Sequence, residues 1–453
     1  KRIGLYCGSV IWLTLMYCVL FGTSYISILD MTIDMWDSKT SSEQYGTVLA
    51  FLAYGNSMKV EKPENYSVSE IEEEATKYKM EEGSDEETPN IIVVMNESFS
   101  DLSYLGDLET NVPYLEFFNS LEENTIKGHV VVSIMGGGTP NSEFEFLTGH
   151  SLAFLSNSIP YIQYIQSSHI NMTSNLKSQG YSTTAIHLMQ EVNWRRNVVY
   201  PYLGFDDFIS IEDVDLENEE LVRNYISDSA TYKHVLDLLN NKDDDEKIFV
   251  FDVTGQNHGG YTYAGTDFET EVEVIGFDSS EVNQYLTLIR KSDQALEGLI
   301  EELEEYEEPV LLVFYGDHYP GLSEEFFDWI KSDDEDDFDF FQKEFTVPFL
   351  IWANYDIEEQ ENVYTSLNYL GAYVQQIAGL DLSGYDEFRL ELSETIPAMN
   401  AYGYQDQNGV WYNYDEDNDD VYSTLLDQYW KLEYNELFET KKKVVSFFET
   451  AAN

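Results

Sequence analysis

Four polar clusters in this 453-residue chain each stand just past a short apolar run: Asn96-Glu97-Ser98, His187, Asn257-His258 and Asp317-His318. Carboxylates and imidazoles drawn together in this way are the donor set of a metal site. The elements that must position them are the runs themselves, residues 91–95, 183–186, 248–253 and 310–315, all rich in β-branched or aromatic side chains. Each reads as a buried strand. In an open parallel α/β sheet, ligands collect outside the carboxyl ends of the strands, so residues remote in sequence can meet there. The expected architecture is therefore an α/β fold with the chemistry on one edge of its sheet.

A fifth element supplies something for a metal to activate. Gly136-Gly137-Gly138-Thr139-Pro140 follows the apolar residues 129–135 and precedes residues 141–147, which can begin a helix. Thr139 suits the N-cap, and Pro140 the first helical position, where a missing N–H costs nothing. Three glycines allow close backbone approach to a bound group, and a helix N-terminus points free N–H groups at an anion. Taken alone the segment is as well read as a glycine-rich turn before a capped helix, Glu97 as a cap, and Trp194 as packing. His150 and His169 fall outside the pattern and read as structural.

Residues 90–101 (Asn-Ile-Ile-Val-Val-Met-Asn-Glu-Ser-Phe-Ser-Asp), residues 136–149 (Gly-Gly-Gly-Thr-Pro-Asn-Ser-Glu-Phe-Glu-Phe-Leu-Thr-Gly) and Tyr315-Gly316-Asp317-His318 together resemble the lipoteichoic acid synthase family. These are bacterial phosphoglycerol transferases with a sulfatase-like domain of the alkaline phosphatase superfamily. The resemblance covers roughly residues 85 to 400 and rests on the three motifs occurring in this order. It implies a central, mostly parallel sheet flanked by helices. It also implies Glu97, Thr139, Asp317 and His318 as metal ligands, Thr139 as nucleophile, and His187, Trp194, Arg196 and His258 as substrate-binding residues. The chain reads Trp194-Arg195-Arg196 where family members usually carry Trp-Asn-Arg, so Arg195 is a departure that bears on substrate preference.

The implied chemistry is consistent with the residue types. A divalent cation lowers the pKa of a bound hydroxyl and makes a threonine an effective nucleophile. Two carboxylates, an imidazole and a hydroxyl form an oxygen-rich site suited to Mn²⁺ or Mg²⁺, with Zn²⁺ as a substitute. Arginine pairs with phosphate oxygens, and His187 or His258 can bind phosphate or protonate a departing oxygen. The implied donor is phosphatidylglycerol, and the acceptor a hydroxyl of a polyglycerolphosphate chain or a cell-envelope glycan. A phosphodiesterase or sulfatase would use the same fold, but sulfatases need a Cys or Ser for formylglycine, and position 139 is Thr. A non-enzymatic cation-binding surface domain predicts that the ligand set is not assembled.

Residues 3–29 contain no charged side chain, long enough to span a bilayer, and Lys1 and Arg2 precede them, which would leave everything after Asp30 outside the cell. The chain thus divides into a transmembrane helix (1–30), a juxtamembrane linker (31–88), a catalytic domain (89–397) and a small C-terminal subdomain (398–453). Within the linker, residues 45–54 read as a short amphipathic helix and residues 61–87 as a polar linker or exposed helix. In the subdomain, residues 402–412 suggest a hairpin and residues 424–438 a terminal helix. The formal charge of −61, from 85 acidic against 24 basic residues, excludes nucleic acid as a partner, because phosphate affinity depends on basic contacts. It also repels an anionic membrane surface, so a lipid substrate must be met by a local exception such as Arg195 and Arg196. The two cysteines, Cys7 and Cys18, leave the remainder of the chain without any disulfide framework.

Overall fold

The structure is a computed structural model that describes residues 12, 38–57, 60–78, 88–155, 158–414 and 421–450. The chain separates into two compact units: residues 1–62 with 155–159, and residues 63–154 with 160–453. In the first, helices Ser38–Tyr45 and Thr47–Ser57 bury Ala53 against Tyr45, Leu49 and Leu52. The expected membrane segment lies outside the described residues except for Trp12, and among the described residues no helix is long and apolar enough to cross a membrane.

The second unit is built on an eight-stranded sheet. Its strands in chain order are β1 (Asn90–Asn96), β2 (Thr125–Val131), β3 (Tyr181–His187), β4 (Asp207–Ser210), β7 (Lys247–Val253), β8 (Val310–Gly316), β9 (Thr346–Ala353) and β10 (Gln360–Ser366), the numbers β5 (Leu221–Val222) and β6 (Tyr225–Ile226) belonging to a separate two-stranded hairpin. The spatial order is β10-β2-β9-β8-β1-β7-β3-β4. Only β9 runs against the rest, so the sheet is mixed but mostly parallel. β1 and β8 are buried along their whole length, the signature of strands covered by helices on both faces.

The four strands that precede the polar clusters are neighbours: β8, β1, β7 and β3. Their register levels the chemistry. Met95 sits opposite both Val253 and Tyr315, and Ile186 opposite Asp252, so Glu97, Asp317, His187 and the loop bearing His258 leave the sheet along one edge. Gly316 closes the gap between two of those exits. A Cβ there would lie 1.9 Å from the Phe99 carbonyl oxygen, a distance at which something must shift. Helix Ser280–Glu304, capped by the Ser279 side chain, buries Leu286, Ile289, Leu296, Leu299, Ile300 and Leu303 just before β8 delivers Asp317.

The C-terminal elements also match expectation in type. β11 (Ala398–Met399), β12 (Gly403–Gln405) and β13 (Trp411–Asn413) form a small antiparallel sheet, followed by helix Val421–Phe438. Two readings are corrected in detail. Residues 63–78 are not merely polar linker: the short helix Val68–Glu74 buries Ile71, and Tyr66 joins the same core as Phe388, Tyr429 and Leu432, while Glu70 accepts from Lys431 at 2.8 Å. One isoleucine and a preceding tyrosine suffice to dock a helix of two turns, a signal too short for periodicity to reveal. Thr139 is the first helical residue, not the cap, because Gly138 at φ +97° takes the cap position.

His150 and His169, read as structural, both meet the C-terminal helix. Their ring nitrogens lie 3.2 and 3.0 Å from Glu436 Oε2, and Glu436 Oε1 accepts from the Ile170 N–H and the Lys443 ammonium. Burial pushes the Glu436 carboxyl up, but the imidazole donors outweigh it and hold it well below the usual range. Burial also pulls His150 down. Both shifts have the same sign for stability. The unfolded chain binds protons more readily at each group, so acidification favours unfolding, beginning near pH 6.5 with His150 and deepening through the carboxylate range. Glu436→Gln should lose about 3–5 kcal/mol at neutral pH, as removal of one partner from a buried pair does, and its thermal midpoint should depend less on pH below 5 than that of the parent.

Candidate metal and phosphate site

Glu97 follows β1 and is held by its own neighbours. Its N–H donates to Thr254 Oγ1 at 3.1 Å, and Ser98 Oγ donates to its Oε1 at 2.8 Å. Ser98 adopts φ +53°, a left-handed conformation that costs a non-glycine residue energy and turns its N–H onto Asp317 Oδ1 at 2.7 Å. The loops after β1 and β8 are thereby stapled together. His318 Nδ1 lies 2.8 Å from the Tyr319 carbonyl, which can only accept, so Nδ1 carries a proton and Nε2 is the atom left to meet a cation. Burial pulls the imidazole down, but the Asp317 and Glu97 charges outweigh it and raise it, so a cation must displace the proton from Nε2.

Glu97, Asp317 and His318 are buried and offer ligand atoms within 4.8 Å of one another. Asp317 Oδ2 and His318 Nε2 face each other 3.2 Å apart, and neither has a hydrogen-bond partner among the described residues. Buried polar atoms left in this state are costly unless something else fills the space between them. A divalent cation fits: two carboxylates and one imidazole converge, and the Thr139 hydroxyl reaches the Asp317 carboxylate as a fourth ligand. The four residues implied as metal ligands are thus brought together.

The glycine-rich segment explains how Thr139 arrives there. Gly136, Gly137 and Gly138 all have positive φ (69°, 146° and 97°), and the Gly136 N–H donates to the Tyr319 carbonyl at 2.8 Å. Ser142 Oγ, one turn into helix Thr139–Thr148, donates to the Asp317 carbonyl at 2.7 Å. The loop and the helix it opens are both fastened to the Asp317-His318 turn.

The implied substrate residues occupy three different settings. His187 is buried, with Nδ1 2.8 Å from the Val253 carbonyl, and burial followed by the nearby Arg196 charge holds it well below the ordinary imidazole value. It is neutral, with Nε2 an acceptor. His258 is exposed, stacks on Tyr225 and places Nδ1 3.2 Å from the Tyr225 hydroxyl. Trp194 and Arg195 both adopt left-handed backbone conformations at the entry to helix Arg196–Leu203, and Trp194 is half-buried. Arg196 is 1% exposed: Nε donates to Glu143 Oε1 at 2.9 Å, Nη2 bonds the same oxygen, and the Tyr200 hydroxyl takes Glu143 Oε2 at 2.8 Å. Burial pulls its guanidinium down, but Glu143 reverses the sign and keeps it charged. Two of its nitrogens therefore brace the helix that carries Thr139. Arg195 turns outward from that brace, donating to the Tyr161 and Ile162 carbonyls at 3.0 and 3.3 Å.

Motif reading missed Arg223, buried on the β5–β6 hairpin, whose charge acts on Glu97. It also missed Glu143, although that residue stands inside the Thr-Pro-Asn-Ser-Glu segment. Two-residue strands carry no periodicity, so Arg223 had no signal. Burial raises the Asp317 carboxyl, and a cation must displace its proton. Mn²⁺ affinity measured by calorimetry should therefore fall as pH is lowered from 8 to 6, and Asp317→Asn should abolish binding.

A family model described as Sulfatase matches residues 89–380. A putative cyclic beta-1,2-glucan modification protein of Rhizobium meliloti is 28% identical over 385 residues, covering 83% of this chain and 59% of that protein. The solved structure of Streptococcus pyogenes phosphoglycerol transferase GacH in complex with sn-glycerol-1-phosphate superposes with a TM-score of 0.69 at 22% identity, covering 86% of this chain and all of that one. That of the lipoteichoic acid synthase LtaP from Listeria monocytogenes gives 0.60 at 16% identity, covering 81% and 97%. The chain spans roughly half the length of the curated relatives it matches. The match over residues 89–380 extends through every strand of the large sheet and through Glu97, Thr139, Asp317 and His318, and on it the chain belongs to the sulfatase family.

Proposed function

We propose that this chain carries the catalytic domain of a metal-dependent phosphoglycerol transferase, with Thr139 as nucleophile. The observation that carries the reading is the meeting of the Thr139 hydroxyl with a buried carboxylate whose second oxygen, like the Nε2 of the imidazole beside it, has no hydrogen-bond partner among the described residues. A divalent cation bound by Glu97, Asp317, His318 and Thr139, with Mn²⁺ or Mg²⁺ best suited to the donor set, would supply hydroxyl activation and charge neutralisation. Thr139 Oγ1 gives up its proton and bonds to the phosphorus of phosphatidylglycerol, and the bond to the diacylglycerol oxygen breaks, that oxygen taking up a proton. An acceptor hydroxyl then gives up its proton and bonds to the phosphorus as the threonine–phosphorus bond breaks and Thr139 Oγ1 takes a proton back.

The chain's residues divide this work. Helix Thr139–Thr148 directs its first N–H groups at the phosphate. Neutral His187 accepts from a substrate hydroxyl through Nε2. Arg196 holds the nucleophile helix through Glu143 and leaves Nη1 for a phosphate oxygen. Trp194 lies against the substrate, and exposed His258 exchanges protons with the oxygens that leave and enter. The acceptor is a cell-envelope glycan or a polyglycerolphosphate chain. The glycan is favoured because the relative matching 83% of the chain is named for glucan modification. Residues 3–29 would anchor the domain on the outer face of the membrane that supplies the lipid.

Incubation with phosphatidylglycerol and Mn²⁺ in the absence of acceptor should release diacylglycerol and leave a glycerophosphate adduct on Thr139, detected by mass spectrometry. Thr139→Ala should abolish both. A metal-loaded parent protein giving neither product would overturn phosphatidylglycerol as donor.

A further inference from the structure

His258 rides on a segment poorly suited to holding a side chain still. It lies between Gly255 and the pair Gly259-Gly260, in a connection between β7 and helix Ser280–Glu304 with little regular structure, and its ring is exposed. A group that exchanges protons with a substrate must nevertheless be held within a fraction of an ångström of its working position.

The hairpin β5–β6 supplies the restraint. Arg223, at its tip, is 4% exposed and donates from Nη2 to two carbonyls of that segment, those of Gln256 and His258, at 2.8 Å each. Its guanidinium lies over the Tyr225 and Tyr261 rings, 5.3 and 5.8 Å from their centroids. Tyr225, two residues on, stacks against the His258 imidazole with ring centroids 5.5 Å apart and meets Nδ1 with its hydroxyl at 3.2 Å. Tyr261 packs edge-on against Tyr285, whose hydroxyl donates to the Ser98 carbonyl at 2.8 Å, next to Glu97. One hairpin therefore grips the backbone of His258, occupies one of its ring nitrogens, and refers both to the loop that carries a metal ligand.

Two details set this apart from ordinary packing. Arg223 adopts φ +58° at the tip of a two-residue turn, where glycine is the usual occupant. It is also buried without an ion pair among the described residues, and the carboxylate whose charge acts on it is Glu97, at the metal cluster. Backbone strain and a desolvated charge are both unfavourable, and they coincide at the residue that fixes His258.

We propose that Arg223 and Tyr225 are positioning residues that fix the His258 imidazole over the metal cluster and leave Nε2 as the atom that meets the substrate oxygen. The proposal rests on the transferase reading for what His258 does, but not for the clamp itself. Because the Tyr225 hydroxyl can donate or accept, it holds Nδ1 in either tautomer, and the same clamp serves both halves of the transfer.

The test combines a substrate-free and a kinetic readout on the whole chain. In hydrogen exchange, Arg223→Ala should raise exchange at residues 255–262 at least tenfold while Mn²⁺ affinity is not lowered, since the variant removes a positive charge that acts on Glu97. In transfer from phosphatidylglycerol, Arg223→Ala and Tyr225→Phe should lower kcat about 10- to 100-fold with KM changed less than threefold. Arg223→Lys, which keeps a charged donor, should recover part of that loss. Combining Arg223→Ala with His258→Ala should cost no more than His258→Ala alone, because one residue acts through the other. Unchanged exchange at residues 255–262, or rate losses that multiply in the double variant, would overturn the proposal. If Arg223→Ala fails to fold, Tyr225→Phe, which retains the ring, decides the same question through kcat and its combination with His258→Ala. If the parent shows no transfer, the donor assignment falls, and the exchange result alone decides the clamp.

Discussion

The site depends on the way Asp317 divides its two oxygens. Oδ1 accepts the Ser98 N–H and so fixes the β1 loop against the β8 loop, whereas Oδ2 faces His318 Nε2 at 3.2 Å and has no hydrogen-bond partner among the described residues. A carboxylate used only as a staple would be satisfied on both sides, and one used only as a ligand would be free to swing. Here the structural bond orients the functional one. The close approach this requires is permitted by Gly316, which leaves room for the Phe99 carbonyl.

A second buried carboxylate braces the other side. Glu143 lies in the first turns of the nucleophile helix and gathers Arg196 and Tyr200 in the interior. Burying such a pair is weak support for stability, because desolvation consumes much of the Coulombic gain. Its contribution is directional: it ties the helix that begins with Thr139 to the segment that carries Trp194 and Arg195. In a chain of net charge −61, the guanidinium groups of Arg196 and Arg223 stand close to one edge of the sheet, where they meet the carboxylates of Glu143 and Glu97.

Much of this was legible in the sequence. The apolar runs ending in Asn96, His187, Val253 and Gly316 identified adjacent strands because strands buried on both faces need continuous hydrophobicity, and that composition marks both their type and their ends. The convergence of Glu97, Thr139, Asp317 and His318 followed from strand-end geometry together with the family resemblance. What escaped were contacts without local pattern. The β5–β6 hairpin has too few residues to show alternation, and the docking of Val68–Glu74 relies on one isoleucine in an acidic helix. The fastening of His150 and His169 to Glu436 spans more than 260 residues, so neither segment advertises the other.

The far end of the nucleophile helix has its own consequence. Gly149, which caps it, offers its carbonyl to the Tyr429 and Tyr385 hydroxyls at 2.6 and 3.0 Å, and Glu433 takes the Ser151 N–H at 2.8 Å. The helix that opens at Thr139 thus closes on side chains supplied from the last fifth of the chain. Any shortened version ending before Val421 would keep every proposed metal ligand yet strip hydrogen-bond partners from the end of the element that places Thr139. Under the proposed function, the boundary of the smallest working enzyme is therefore set by the support of the Thr139 helix and lies well past His318.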